Sequence, residues 1–227
     1  MNIGSRLESV ASLIDEGSIL ADIGTDHAYL PTYLLEQNKI AKAFACDIAA
    51  GPCEAARQTV AMHGLKKQIE VRLGGGLTVL QPNEADSIAI CGMGASTIIM
   101  IFEESPEVLA SAKQLVLQPM AGAPSLRKWL GEHGWKIEKE ILVDDAPHFY
   151  EIISARKNNS TIEYSIPEQY LGPQLLATKP ELFAKHVARQ CETCQRLLDN
   201  MGKSEKAKAS DKYQEISSLL KMLEEYK

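Results

Sequence analysis

The chain has 227 residues, 45% of them hydrophobic, a net charge of −6 and five cysteines. This length predicts one core domain with an appendage. Nothing in it approaches the roughly 18 apolar residues of a membrane span, and its first residues lack a signal-peptide pattern. An odd cysteine number without framework spacing is typical of a reduced cytosolic protein. We therefore expect a cytoplasmic protein with no membrane partner.

Short apolar runs alternate with amphipathic stretches between residues 18 and 156. The apolar runs predict strands that are covered on both faces, at 18–23, 42–47, 69–73, 86–92 and 114–119. The stretches between them predict helices at 28–38, 51–63, 95–104 and 124–133. Strands that alternate with helices favour an α/β protein with a parallel, doubly wound sheet.

The pattern changes after residue 134. Two strand-like runs, 136–145 and 148–157, are joined by a short turn and should pair antiparallel. Five parallel strands followed by such a pair are typical of class I S-adenosylmethionine-dependent methyltransferases. A nicotinamide-binding sheet normally continues with another helix-linked parallel strand. The terminal hairpin therefore favours a methyltransferase core over residues 1–157.

The C-terminal part has a different composition. Residues 158–179 are polar and turn-rich and predict a linker, and residues 180–227 predict a helical hairpin that is partly coiled-coil-like. Residues 1–164 hold 14 Lys and Arg against 21 Asp and Glu, whereas residues 165–227 hold 10 against 9. A solvated helical tail gives the same balance, so this asymmetry permits a polyanionic partner without demonstrating one.

The first predicted strand leads into D-I-G-T-D-H-A-Y-L-P at residues 22–31. Ligands of open α/β sheets bind beyond such strand ends, and Gly24 lets the backbone approach a ligand closely. Asp26 would repel a dinucleotide pyrophosphate. S-adenosylmethionine has no phosphate, and its ammonium and sulfonium suit carboxylates such as Asp22 and Asp26. The alternative interpretation makes Asp26 a helix N-cap.

The ends of the second and third predicted strands carry residues that are typical of nucleoside-binding sites. Asp47 follows the glycine loop by some 20 residues, where an acid commonly accepts hydrogen bonds from ribose hydroxyls. Alone it is equally compatible with a turn. The three glycines of R-L-G-G-G-L at residues 72–77 permit close approach to a flat adenine ring, or form a flexible loop without a ligand.

The fourth and fifth strand ends also carry candidate contacts. Gly92 and Gly94 flank Met93, which suits a floor beneath a reacting base or a simple packing turn. Gln118, before Pro119, offers an amide that can read a base edge, or is an ordinary polar strand end. Elsewhere, C-x-x-C at residues 191–194 lies in a predicted helix without a second ligand pair, so packing explains it better than a metal does. We therefore predict no metal.

Several of these segments together resemble the bacterial tRNA adenine-22 N1-methyltransferase family. The resemblance runs from residue 5 to about 156 and is carried by SRLESVASLI, ADIGTDHAYLP, CDIAAGPCEAA, HGLKKQIEVRLGGGL, ICGMGAS, LQPM and HFYEII. It implies a Rossmann-like core that binds S-adenosylmethionine and methylates N1 of an adenine in the tRNA D-arm. The helical tail agrees with that family's coiled-coil appendage.

The resemblance, read with the strand-end argument, gives a role to each candidate residue. The cofactor-binding candidates are Asp22, Gly24, Asp26, His27, Asp47, Gly75, Gly76, Gly92 and Gly94. The candidates at the reaction centre are Arg6, Asp26, Tyr29 and Met93. The candidates for tRNA contact are Gln118 and Pro119 in the core and, because of their positive charge, Lys185, Arg189 and Arg196 in the tail. The chain departs from the family pattern at Gly75, usually a polar residue that holds the cofactor's adenine N6, and at Met120, usually Asn.

Adenine N1 has an exposed lone pair, so its methylation needs alignment and exclusion of water but no general base. The base must be unpaired or flipped out of a duplex. One alternative is a methyltransferase of the same fold that acts on another RNA or a small molecule. Another is a non-catalytic RNA- or protein-binding module, favoured by Gly75 and Met120. A nicotinamide dehydrogenase comes last, and the sequence gives no evidence of an obligatory protein partner.

Overall fold

Seven strands form one sheet in the computed structural model, which describes residues 1–158 and 160–227. They are β1 Ile19–Ile23, β2 Lys42–Asp47, β3 Ile69–Leu73, β4 Ser87–Met93, β5 Gln114–Pro119, β6 Trp135–Asp145 and β7 His148–Lys157. Their order is β3-β2-β1-β4-β5-β7-β6, with β1 to β5 parallel and β7 antiparallel to both neighbours. This confirms the predicted sheet. The order reverses between β1 and β4, and ligands of open α/β sheets bind at such a reversal.

Among the described residues of the first of two compact units, Met1–Glu163, six helices accompany the sheet. They are α1 Gly4–Leu13, α2 Tyr29–Glu36, α3 Ala50–Met62, α4 Ala95–Glu104, α5 Pro106–Ser111 and α6 Ala123–Glu132. Helices α1 and α5 were not predicted. Helix α5 has only six residues, too few to show a helical period, whereas Leu7, Val10, Ala11 and Ile14 recur at helical spacing along α1, a signal that was overlooked.

The apolar core extends from the sheet to α1. The buried residues Val10 and Ile14 belong to the same core cluster as Leu20, Val116 and Ile152 of β1, β5 and β7. Burial of such side chains contributes roughly 1.5–3 kcal/mol each. This packing fixes α1 against the sheet and brings its N-terminal half to the carboxyl edge of the strands.

A buried ion network joins α6 to the terminal hairpin. Arg127 is fully buried, and its guanidinium donates to Glu140 at 2.7 Å and to Glu151 at 2.6 Å. A buried guanidinium needs such paired carboxylates, because an isolated buried charge is very unfavourable. The two bonds therefore fix β6 and β7 in register beside the parallel strands.

The second unit, Tyr164–Lys227, consists of helices in the residues that the structure describes. They are α7 Ile166–Leu171, α8 Pro173–Thr178, α9 Phe183–Met201, α10 Glu205–Lys208 and α11 Asp211–Glu224. The predicted linker contains α7 and α8, and its residue 159 lies outside the described residues. The predicted C-terminal helices are present, and α9 packs against α11.

The buried face of α9 contains both cysteines of the C-x-x-C segment. Cys191 and Cys194 are buried there, as packing residues should be. Leu197, beside the buried Leu198, is 44% exposed. No helix within the described ranges is long and apolar enough to cross a membrane.

Candidate active site

The loop between β1 and α2 is held tightly against β2. The backbone N–H groups of Gly24 and Thr25 both donate to the Cys46 carbonyl, at 2.9 and 3.0 Å. Gly24, Asp26 and Ala28 all have left-handed backbone conformations, with φ of +74°, +54° and +56°. Such conformations are unfavourable for residues other than glycine, and they concentrate at functional sites.

The structure corrects the interpretation of Asp26 as a helix N-cap. Helix α2 begins at Tyr29, and the N-cap position is occupied by Ala28 without a side-chain cap. The Asp26 carboxylate is exposed and lies 3.6 Å from His27 Nε2. It is therefore available at the mouth of the site rather than committed to the helix.

Two carboxylates at the ends of β1 and β2 are fixed in position. The buried Asp22 accepts a hydrogen bond from the Thr25 hydroxyl at 2.6 Å. Asp47 accepts one from the Asp26 N–H at 3.2 Å and one from the Ala49 N–H at 3.0 Å. Each carboxylate oxygen has two lone-pair directions, so Asp47 keeps acceptor capacity for a ligand.

One cavity of about 300 Å³, the α4 cavity, lies beyond the ends of β1, β2 and β3. It brings together five predicted site residues: Gly24, Asp47, Gly75, Gly76 and Met93. Its other wall is a face of α4 that was not predicted, formed by Thr97, Met100, Ile101 and Glu104. Their i, i+3, i+4, i+7 spacing directly after the G-M-G turn is the signal that would have revealed this wall.

A second cavity of about 440 Å³, the α1 cavity, lies beside the first. It brings together seven predicted residues: Arg6, Asp22, Gly24, Asp26, His27, Tyr29 and Gly92. Gly24 therefore lines both cavities. A Cβ atom on Gly24 would lie 2.3 Å from the terminal methyl of Met93, so these two residues meet at the junction.

Hydrogen bonds to Gln118 hold two residues of the α1 cavity wall in place. The Gln118 side-chain oxygen accepts from Arg6 Nη1 at 2.8 Å and from the Gly92 N–H at 3.2 Å. Gln118 is fully buried and, like Pro119 and Gly94, lines neither of these two cavities. This orientation differs from the expectation that the Gln118 amide reads a base edge. The amide points into the protein, where it binds Arg6 and the G-M-G turn.

The mouth of the α1 cavity presents an aromatic surface. The rings of His27 and Tyr29 are stacked, with centroids 5.1 Å apart and planes within 11°. Tyr29 is 41% exposed. An exposed ring of this kind offers a stacking platform to a planar ligand.

Burial controls the ionisation of the polar groups in the site. It raises the pKa of Asp22 to about 6, reinforced by the nearby Asp47 and opposed by the Thr25 hydrogen bond and Arg6. Burial also raises the pKa of Cys46 and of Cys91 to about 12, so both remain neutral thiols at physiological pH. Within the described parts of the chain, no three His, Cys, Asp or Glu side chains are grouped to hold a metal ion.

Three predicted tRNA contacts lie in the second unit, on α9. Lys185, Arg189 and Arg196 are exposed and are spaced i, i+4 and i+11. At 3.6 residues per turn this spacing aligns them in one stripe, opposite the buried face that contains Cys194. We call these three residues the α9 basic stripe.

The sheet order, the single-glycine loop after β1 and the acids that end β1 and β2 define a Rossmann-like class I methyltransferase. The family model of tRNA (adenine(22)-N(1))-methyltransferase matches residues 20–225. The chain belongs to this family.

Similar proteins cover almost the whole chain. The tRNA (adenine(22)-N(1))-methyltransferase of Bacillus subtilis is 30% identical over 99% of this chain and 97% of its own length. A Streptococcus pneumoniae protein solved in complex with S-adenosyl-L-methionine is 33% identical, with a TM-score of 0.87 and 99% of each chain covered. M. capricolum TrmK, solved with S-adenosyl-homocysteine, is 29% identical, with a TM-score of 0.85 over 99% of this chain and 97% of that one.

Proposed function

We propose that this protein transfers the methyl group of S-adenosylmethionine to N1 of adenine 22 in tRNA. The observation that carries the proposal is the meeting of two cavities at Gly24, in a chain of this family. The α4 cavity has the features of a nucleoside-binding site, and the α1 cavity has carboxylates and an exposed aromatic ring. A tRNA substrate places the reaction in the cytoplasm.

The residues present fit the cofactor. Asp47 would accept hydrogen bonds from the ribose hydroxyls, and Gly75 and Gly76 leave room for a flat base in the α4 cavity. Asp22 and Asp26 would attract the ammonium and sulfonium groups from the α1 cavity. When bound, S-adenosylmethionine supplies an electrophilic methyl group.

The protein's part in the reaction is positioning and electrostatics. Adenine N1 attacks through its own lone pair, so no residue has to remove a proton from it. The adenine ring becomes a cation, which carboxylates in the α1 cavity stabilise. Tyr29, backed by His27, would stack on the flipped base, and Arg6 is held at the same wall by Gln118.

The α9 basic stripe would contact the tRNA backbone. Lysine and arginine side chains neutralise phosphates and give affinity without base specificity. Alignment of three such side chains on one exposed face suits a regular phosphate backbone. The core would then supply base recognition and chemistry, and the second unit would supply affinity.

Methyl incorporation tests this function. The full-length protein is incubated with labelled S-adenosylmethionine and either of two transcripts that differ only in having A or G at position 22. Incorporation into the A22 transcript alone is expected. Equal labelling of both transcripts would reassign the target base. Absence of both labelling and cofactor binding would instead favour a non-catalytic module.

The raised pKa of Asp22 predicts a pH dependence of cofactor binding. The cofactor's ammonium prefers ionised Asp22, so affinity should be full at pH 8, about half of that near pH 6, and lower still as Asp22 becomes fully protonated below pH 6. The limiting loss is about tenfold per pH unit. Calorimetric titration of S-adenosylhomocysteine between pH 5 and 8 measures the effect. Asp22→Asn should bind more weakly at pH 8 and show a flat profile across this window. A profile as steep as that of the wild type would show that another group titrates.

A further inference from the structure

We infer that Glu104 recognises the 6-amino group of the cofactor's adenine and so sets the preference for adenine over other purines. The inference rests on the proposed function, because that function assigns the α4 cavity to the cofactor's nucleoside. Glu104 was not among the candidate site residues. Its assignment follows from the shape of the cavity and from the few polar side chains that line it.

The α4 cavity has two distinguishable ends along α4. The helix starts at Ala95, directly after the G-M-G turn whose Met93 touches Gly24. Thr97 therefore lies near the junction with the α1 cavity. Glu104 is seven residues further on, about 10 Å along the helix axis. Both residues line the same cavity, so its length accommodates a nucleoside between them.

The glycine-rich loop after β3 locates the middle of the cavity. A Cβ atom on Gly76 would be 3.0 Å from Ile101 side-chain atoms, and one on Gly75 would be 3.7 Å from Ile48 Cδ1. The loop backbone thus lies close to Ile101, which is one helical turn before Glu104. Together with Met100, these aliphatic side chains form a narrow apolar slot of the kind that binds the faces of a purine.

An apolar slot alone does not distinguish adenine from other purines, because it contacts only the faces of the ring. Discrimination requires an acceptor for the 6-amino group, which would otherwise lose its hydrogen bonds to water. Among the described residues that line the cavity, the side chains with acceptor oxygens are Asp47, Thr97 and Glu104. Asp47 accepts the Asp26 N–H, which places it at the junction end with Thr97. Glu104 is the carboxylate at the other end.

The neighbouring acid provides a contrast. Glu103 accepts a hydrogen bond from Trp129 Nε1 at 3.2 Å and lines neither cavity. Glu104 lines the α4 cavity and is exposed, so its carboxylate is available to a ligand. A charged acceptor forms a stronger hydrogen bond to an amino group than a neutral one does. Glu103→Gln therefore removes the same charge one residue away without touching the proposed contact.

The test compares two ligands on the full-length protein by calorimetry: S-adenosylhomocysteine and S-inosylhomocysteine, which has a carbonyl in place of the 6-amino group. The wild type should bind the adenine compound at least about tenfold more tightly, because Glu104 repels the carbonyl. Glu104→Gln should weaken the adenine compound roughly fivefold and strengthen the inosine compound, since an amide can donate to the carbonyl. Glu103→Gln should leave both affinities at wild-type values.

The possible results distinguish a failure of the Glu104 assignment from a failure of the proposed function on which it rests. If the wild type binds S-adenosylhomocysteine and Glu104→Gln keeps the wild-type ratio of affinities, Glu104 does not read the base and the inference is overturned, while the proposed function stands. If the wild type binds neither ligand, the proposed function fails and the inference fails with it. The assignment is supported if the ratio of the affinities for S-adenosylhomocysteine and S-inosylhomocysteine falls in Glu104→Gln but stays at the wild-type value in Glu103→Gln.

Discussion

A Gly24→Val variant is expected to lose cofactor binding and methyl transfer together, each by a factor of at least about 100. Gly24 has a φ of +74°, which a β-branched residue adopts only with strain. Its side chain would also point at the Met93 methyl, at the junction that both cavities share. Calorimetry with S-adenosylhomocysteine measures the binding loss, and labelled methyl transfer to tRNA measures the activity.

A matched glycine serves as the control for backbone strain. Gly64 has a φ of +70°, and a Cβ atom there would meet nothing within 4 Å. Gly64→Val therefore carries a similar conformational cost at the end of α3 without filling a cavity. It should lower the melting temperature about as much as Gly24→Val but retain cofactor binding. Near-normal binding by Gly24→Val would show that the cofactor does not pass through this junction.

Replacing the whole α9 basic stripe by alanine is expected to raise the KM for tRNA by roughly 100-fold at physiological salt, with kcat and S-adenosylhomocysteine binding nearly unchanged. Each lost phosphate contact should also reduce the slope of log affinity against log salt by about one, so the triple variant should lose about three. The measurement is tRNA binding and steady-state methylation over a range of salt concentrations.

A variant with the same loss of charge in the first unit is the control. Lys66, Lys67 and Lys128 are exposed lysines of α6 and of the segment before β3. Their triple alanine variant lowers the net charge equally, but it should change the salt slope by less than one. If both triple variants weaken tRNA binding to the same extent, net charge rather than the α9 stripe accounts for affinity.

The sheet could be predicted from the sequence because its signals are local and strong. Each parallel strand is a short apolar run, and the hairpin has no helical pattern between its strands, so the number and direction of strands follow. Helix α1 was missed although Leu7, Val10, Ala11 and Ile14 recur at helical spacing, and the structure packs it against β5, β6 and β7. This packing also places Arg6 at the site, so the position of Arg6 depends on tertiary packing rather than on local sequence.

The site residues at the strand ends could be predicted from the sequence, whereas the other residues of the site could not. Asp22, Gly24, Asp26 and Asp47 follow directly from the strand-loop-helix pattern, and the structure places all four around adjoining cavities. The inward orientation of Gln118 could not be read from the sequence, because it depends on Arg6, 112 positions away. The wall of α4 was overlooked because Thr97 and Glu104 are unremarkable surface residues until Gly75 and Gly76 pack opposite the helix.

The two departures from the family pattern have different structural consequences. Gly75 contributes no side chain to the α4 cavity, yet the cavity keeps a carboxylate in Glu104, so the loss of an acid at position 75 leaves an acceptor. Met120 is 52% exposed just after β5, and its N–H donates to the Met93 carbonyl at 2.8 Å. The backbone of the fifth strand end is thus tied to the G-M-G turn whatever the side chain at position 120.

Reverse transcription through the reacted tRNA tests the central claim most directly, because a methyl group on N1 blocks base pairing. After incubation of the protein with S-adenosylmethionine and a tRNA that carries A22, we expect a strong stop immediately before the reverse transcriptase copies position 22. The stop should be absent without cofactor, with a G22 transcript and with Gly24→Val. Methyl incorporation with full read-through of position 22, or with a stop immediately before a different nucleotide, would contradict N1-methylation of adenine 22 by this protein.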